Sequence, residues 1–279
     1  MTLKEKVDTQ KGFMREELKN WLNSNEAHGL VRAIHYVDEV SSTNTLVKQL
    51  ATEGKPQGTL AVAEFQSQGK GRRGRTWIAP KGKDIFMSLL LRPEIDPTKA
   101  SMLTLVMGLS VAQTLNQLLG VKSQIKWPND IVIEGRKICG ILTEMIAGGE
   151  NVEYVVIGTG INCNAKEFAS EGLVDATSLA LVCGKDVERM PIIVAVMQQF
   201  ETNYNEFLKN EDLANLVDDY NQLLINRNSE VRICKADGSF TGVALGINER
   251  GELLVKDGNG KIQAIFTGEV SVRGMQGYV

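Results

Sequence analysis

The sequence predicts an α+β protein: a main domain with a mixed β-sheet flanked by helices, then a small β-domain near the C-terminus. Three observations predict it. Strand-like apolar runs alternate with amphipathic helical segments up to about residue 225. The composition then changes to short alternating runs separated by "ADGS", "NERG" and "DGNG" turns. One long segment, 96–120, is apolar around nearly its whole circumference, as a core helix is. A chain of 279 residues can bury one main core and support a smaller appended unit.

The elements follow in order. Residues 1–33 are polar, with a short helix expected around Met14 to Leu22. That leaves too little chain for a winged-helix DNA-binding domain and a linker. "RAIHYVDEV" reads as a strand, and "SSTNTLVKQLATEG" as a helix capped by Ser41 or Ser42 and closed at Gly54. "TLAVAEFQS" and "DIFMSLLLRP" are strands on either side of a glycine-rich basic loop. In "DPTKASMLTLVMGLSVAQTLNQLLG", Asp96 suits an N-cap, Pro97 the first helical position and Gly120 the end. Strands are expected in "SQIKWPNDIVIEG", "RKICGILTEMI" and "EYVVIGTGINCN", then two amphipathic helices in "PIIVAVMQQFETNYNEFL" and "EDLANLVDDYNQLLI". No internal repeat interrupts this order.

Composition removes several function classes. With 43% hydrophobic and 23% charged residues the chain is an ordinary globular protein. A net charge of -3 argues against a general nucleic-acid binder, which is usually basic. No apolar run reaches the length of a membrane span and the start lacks a signal core, so a cytoplasmic protein without membrane or nucleic-acid partners is expected. Cys139, Cys163, Cys183 and Cys234 lie far apart, with only His28 and His35 to join them. Inert thiols are expected rather than a zinc site, a disulfide framework or a Cys–His nucleophile.

The chemistry concentrates in "AEFQSQGKGRRGRTWIAP", residues 63–80, where Lys70, Arg72, Arg73 and Arg75 are threaded with Gly69, Gly71 and Gly74. "GKGRRGRT" nearly matches a P-loop, but a P-loop opens a helix, and here Pro80 and Gly82 follow. "VIGTGIN" carries Gly158 and Gly160 but no dinucleotide-binding helix after it. Its glycines read as a close approach of backbone to a ligand or strand.

Taken as an ordered set, "SSTN" (41–44), "QSQGKGRRGRTW" (66–77), "KWPND" (126–130), "GRKICGIL" (135–142) and "GTGIN" (158–162) resemble the successive motifs of biotin–protein ligases. The resemblance covers roughly residues 34–279. It implies a catalytic domain like those of class II aminoacyl-tRNA synthetases over 34–225 and an SH3-like β-barrel over 226–279. It also implies a two-step reaction: biotin and ATP give biotinyl-5′-AMP, and a lysine of a biotin carboxyl carrier domain then takes the biotinyl group. Two anions must meet in that reaction, so fixed cations and Mg2+ are needed and a covalent nucleophile is not.

The resemblance assigns roles by position. Arg72, Lys137 and Lys126 are the expected catalytic contacts. Ser42, Thr43, Asn44 and Gln66 are expected to hold biotin's ureido ring. Gly69, Lys70 and Gly71 close over the ligand, and Gly140, Leu142, Gly158 and Gly160 form its wall. Arg73, Arg75, Trp77, Lys126, Asn129, Asp130 and Asn162 are expected on the ATP side, with Asp130 a candidate for orienting Mg2+. Lys70 departs from the arginine many members carry, keeping the charge without the planar fork. The short N-terminus implies a ligase that is not a DNA-binding repressor, acting as a monomer or weak homodimer. Lipoate ligases share this fold and logic, and the "GRRGR" loop with "KWPND" favours biotin over them.

Overall fold

Seven strands form one mixed sheet in this computed structural model, which describes residues 14–24, 29–148, 151–168, 176–235, 238–266, 271–274 and 278. They are β1 (Ala33–Val37), β2 (Thr59–Ala63), β3 (Ile85–Leu91), β4 (Ser123–Lys126), β5 (Asp130–Ile133), β6 (Arg136–Gly148) and β7 (Asn151–Ile161). Their spatial order is β1-β2-β3-β7-β6-β5-β4. Only β1 and β2 run parallel, joined by the crossover helix α2 (Thr43–Thr52); the other neighbours are antiparallel. The expected single strand over 123–135 is thus a hairpin, turned at a cis Trp127–Pro128 peptide.

Alternation along the central strands sorts side chains to two faces. Leu60 and Val62, Leu89 and Leu91, and Val155 and Ile157 join the main core. Their neighbours Ala61, Leu90, Tyr154 and Val156 pack instead with Val47 and Ala51 of α2. The main core is covered by α3 (Met102–Leu119) and α5 (Arg189–Asn210). The first helix of the chain, α1 (residues 14–23), adds Met14, Leu18 and Trp21 to the same core, so these residues pack as part of the main body. Residues 1–13 and 25–28 lie outside the described residues.

Two expectations about the long helix need correction. Asp96 caps a 3-10 turn at Pro97–Lys99, accepting from the Thr98 N–H at 2.8 Å, and the α-helix itself begins at Met102. Gly120 does end it in the left-handed conformation, φ 66°. The span Pro97–Leu119 is also long and apolar enough to cross a membrane, contrary to the sequence reading. Its residues from Leu103 to Ala112 are, with one exception, fully buried under the sheet and α5, the environment of a core helix.

After the short helices α4 (Leu179–Cys183) and α6 (Val217–Leu223), the chain forms a second, antiparallel sheet. It comprises β8 (Glu230–Lys235), β9 (Gly238–Ile247), β10 (Leu253–Asp257), β11 (Ile262–Ile265) and β12 (Ser271–Gly274), ordered β11-β10-β9-β8-β12. Its inner residues Val231, Ile233, Ala244, Leu253 and Val255 are continuous with the main core. The Trp127 indole N–H donates to the Gly251 carbonyl at 3.0 Å and Lys126 Nζ to the Val272 carbonyl at 3.1 Å. The β4–β5 turn is therefore bound directly to the small sheet.

Candidate active site

A cleft open at its mouth lies between the N-terminus of α2, the basic loop and strands β6 and β7. Ser42, Thr43, Asn44, Gln66, Lys70, Gly71, Arg72, Trp77, Asn129, Lys137, Gly140, Leu142, Gly158 and Gly160 all line it, brought together from segments up to 118 positions apart in the chain, with Ile141 and Thr159 beside them.

The polar end is built on the first turn of α2. Ser42 occupies the N-cap position, but its side chain does not cap the helix. Thr43 and Asn44 are turned inward and buried. Gln66 Oε1 accepts from the Thr43 backbone N–H at 2.8 Å and from Thr43 Oγ1 at 3.1 Å. Asn44 is enclosed by Ser88, Leu142 and Glu144, with donor–acceptor distances of 2.6, 3.2 and 2.7 Å. A side chain at residue 158 would leave no room: a Cβ there would stand 2.0 Å from Asn44 Oδ1.

The basic loop is a small hairpin. Lys70 bridges Thr76 in antiparallel fashion, Gly71 N–H donates to the Arg75 carbonyl at 2.7 Å, and Trp77 N–H to the Gly69 carbonyl at 2.9 Å. Gly69 lies behind the cavity wall, where a Cβ would meet the Trp77 carbonyl oxygen at 2.4 Å. Arg73 and Arg75 are on the exposed hairpin face. The Trp77 indole crosses the paired Gly140 and Gly160 of β6 and β7; Cβ atoms there would sit 2.6 and 2.9 Å from its ring. Its Nε1 is buried without a partner among the described residues.

Both ends of the loop segment are moored. Arg189 donates to both Glu64 carboxylate oxygens, at 3.0 and 3.2 Å, and to the Asp84 carbonyl at 3.0 Å. Tyr36 donates a further hydrogen bond to Glu64, and the Gly82 N–H donates to the Glu64 carbonyl at 2.9 Å. Burial, the Glu64 hydrogen bond and the Glu64 charge push the Tyr36 phenol well above its ordinary value.

At the other end of the cavity the charges gather around one carboxylate. Asp130 pairs with Lys137 at 2.6 Å and accepts a hydrogen bond from Tyr278, while Arg72 donates to Asn129 Oδ1 at 2.8 Å. Burial alone would raise the Asp130 carboxyl, but Lys137 and Lys126 outweigh it and hold the group below the ordinary carboxylate range. Lys126 is nearly enclosed, its Nζ 4.2 Å from the Tyr278 ring centre. Burial, with Arg273, Lys137 and Arg75 nearby, lowers it to about 8 despite the opposing pull of Asp130. Lys126 and Asp130 thus face the small sheet beside the cavity. Asn162 does not reach the cavity: its side chain donates to the Thr177 carbonyl at 3.0 Å. Among the described residues no cluster of three or more His, Cys, Asp or Glu side chains could cage a metal. Burial raises the Cys139 and Cys163 thiols far above their ordinary value, so both are inert.

Sequence reasoning missed Ser88, Glu144 and Tyr278, which touch the expected residues. Ser88 had one signal, a hydroxyl inside the apolar run "IFMSLLL". Tyr278 had none, because its contact spans 148 positions.

Comparison with known proteins agrees with this geometry. The profile of the Biotin/lipoate A/B protein ligase family matches residues 36–162, and that of the Biotin protein ligase C terminal domain matches 228–273. The bifunctional ligase/repressor BirA of Bacillus subtilis is 37% identical over 241 residues, covering 85% of this chain and 73% of that one. The biotin–[acetyl-CoA-carboxylase] ligase of Mycobacterium tuberculosis is 29% identical, covering 86% and 88%. Among solved structures, the biotin protein ligase from Aquifex aeolicus in complex with biotin and ATP superposes with a TM-score of 0.75 at 28% identity, over 87% of this chain and 99% of that one.

Proposed function

The chain belongs to the biotin/lipoate A/B protein ligase family, and on that premise we propose that it joins biotin to ATP and transfers the biotinyl group to a carrier-domain lysine. One observation carries this reading: a single cavity has an uncharged hydrogen-bonding end at Ser42, Asn44 and Gln66 and a cationic end at Arg72 and Lys137. A neutral polar head fits the first, and a carboxylate meeting a polyphosphate fits the second.

In the first step a biotin carboxylate oxygen attacks the α-phosphorus of ATP and pyrophosphate leaves. Lys137 and Arg72 hold the two anions together, so that most of the rate comes from placement and charge neutralisation. Lys126, Arg73 and Arg75 receive the nucleotide phosphates, and Trp77 and Asn129 form the nucleotide's remaining surroundings. Asp130 and the polyphosphate itself fit a Mg2+ ion carried in with the nucleotide, which would add charge neutralisation there. In the second step the acceptor lysine amine attacks the acyl carbon, the acyl–phosphate bond breaks and AMP leaves. Lys70, Gly71 and Arg72 cover the adenylate between the steps and keep water from it.

The acceptor is the biotin carboxyl carrier domain of a carboxylase, met in the cytoplasm, and the enzyme works as a monomer or weak homodimer. We assign it no repressor role, a reading supported by its net charge of -3; specific retention of promoter DNA by the purified chain would overturn that part alone. The central test is mass spectrometry of a carrier domain incubated with the protein, ATP, Mg2+ and biotin. One biotinyl group on the acceptor lysine is expected; an unmodified lysine beside an active control ligase would overturn the proposal. Lipoic acid in place of biotin separates the ligase classes, and is expected to give no modification.

A further inference from the structure

The polar end of the cavity contains more direction than its lining residues alone reveal. Asn44 Nδ2 has two protons, and both are committed: one to the Leu142 carbonyl at 3.2 Å and one to Glu144 Oε2 at 2.7 Å. It has none left for a ligand. Asn44 Oδ1 accepts from Ser88 Oγ at 2.6 Å and retains capacity for one more donor. Gln66 is set the opposite way: its oxygen already accepts twice from Thr43, and its Nε2 has no protein partner among the described residues. The wall therefore offers an acceptor at Asn44 and a donor at Gln66.

An asparagine amide can turn over, so something must fix it. The Leu142 carbonyl is one fixed acceptor, but at 3.2 Å it is the longer bond. Glu144 is the other, held ionised by Lys48 at 2.5 Å on the outer side of the wall. Burial would raise its carboxyl, yet the bonds from Lys48 and Asn44 prevail and lower it. An ionised carboxylate only accepts, so Asn44 must turn its NH2 toward Glu144 and its oxygen toward Ser88 and the cavity.

We infer that Glu144 is a specificity-positioning residue: by fixing the Asn44 amide, it makes the cavity select a ligand head that presents an N–H to Asn44. The inference rests on the reading of this cavity as the biotin site, where the N–H belongs to the ureido ring. Glu144 touches no substrate and acts through Asn44. A surface ion pair that merely steadied β6 would affect all ligands alike, and this difference makes the role testable.

The experiment uses the full-length protein and two carbamate analogues of biotin, in each of which one ureido N–H is replaced by a ring oxygen. That exchange turns a donor into an acceptor without changing shape. Dissociation constants are measured by calorimetry for the wild type, Glu144→Gln and Glu144→Ala, with thermal midpoints to confirm folding. The wild type is expected to prefer biotin over one isomer by about 100-fold or more, because a buried acceptor would face another acceptor. In both variants Asn44 can turn, and that preference is expected to fall by at least about tenfold. An undiminished preference in folded variants overturns the inference, as does an equal loss of affinity for biotin and both analogues. So does a wild type that binds biotin without discriminating either isomer. A wild type that binds no biotin instead overturns the function reading beneath it.

Discussion

Gly158 shows how a single missing carbon can define a site. Its partner across the ladder is Leu142, and the space a Cβ would take is filled by Asn44. Gly158→Ala is expected to displace Asn44 by an ångström or more and weaken biotin binding by about 100-fold, measured by calorimetry, with the fold retained in circular dichroism. Lys126 gives a pH-dependent prediction. Folded, it loses its proton near pH 8; unfolded, it does so near 10.5. Below about pH 8 both states are charged and the full penalty of burying the ammonium is present. Between the two values the unfolded chain holds more protons, so stability rises with pH. Urea unfolding of the wild type at about pH 7.5 and 9.5 is expected to show a gain of roughly 1–2 kcal/mol, at about 1.4 kcal/mol per unit of separation. Lys126→Met should flatten that rise; an equal rise in the variant would contradict the assignment. At this scale the sequence was informative about residue types and poor about directions. "SSTN" and "GTGIN" announced small polar and glycine positions, but not that Ser42 leaves its helix end uncapped or that Asn162 turns away from the cavity.

At the scale of elements the decisive piece is the hairpin between β2 and β3. Its cations were legible because three glycines interrupt them directly after a buried strand. Its closed shape was not, because the bonds from Gly71 to Arg75 and from Trp77 to Gly69 depend on backbone turns that a glycine-rich sequence permits without specifying. If Arg72 holds the adenylate, Arg72→Gly should still release pyrophosphate but let biotinyl-5′-AMP escape, raising free adenylate about tenfold or more in a filter assay. Equal retention would place the contact elsewhere. The mooring of the loop is a separate matter of stability. The Glu64 side chain is 1% exposed and Arg189 is its charged partner. Arg189→Met would leave a buried carboxylate uncompensated and is expected to cost about 3–5 kcal/mol in chemical denaturation. No sequence pattern pairs a glutamate just after one strand with an arginine opening a helix 125 positions later; only the fold brings them together.

For the whole molecule, the alternation of strands and helices and the change in texture after Asn226 make both sheets legible in the sequence. Period and turn chemistry are local and survive in the sequence. What they could not convey was that the small sheet packs into the main core and reaches the charged end of the cavity through Tyr278, Lys126 and Trp127. Tyr278→Phe tests that reach: loss of its hydroxyl from Asp130 is expected to raise the KM for ATP by about 3- to 10-fold while biotin affinity stays the same. A change confined to biotin would show that the contact serves the other end of the cavity. The chain also carries its own optical probe. Of its three tryptophans, Trp21 and Trp127 are buried in the permanent core, whereas Trp77 lies on the hairpin, across Gly140 and Gly160, with Lys137 Nζ 5.3 Å from its ring. Whatever enters the cavity must alter the dielectric surroundings of that one indole. Intrinsic fluorescence should therefore follow ligand arrival and hairpin movement in real time without a label, and Trp77→Phe should silence the signal.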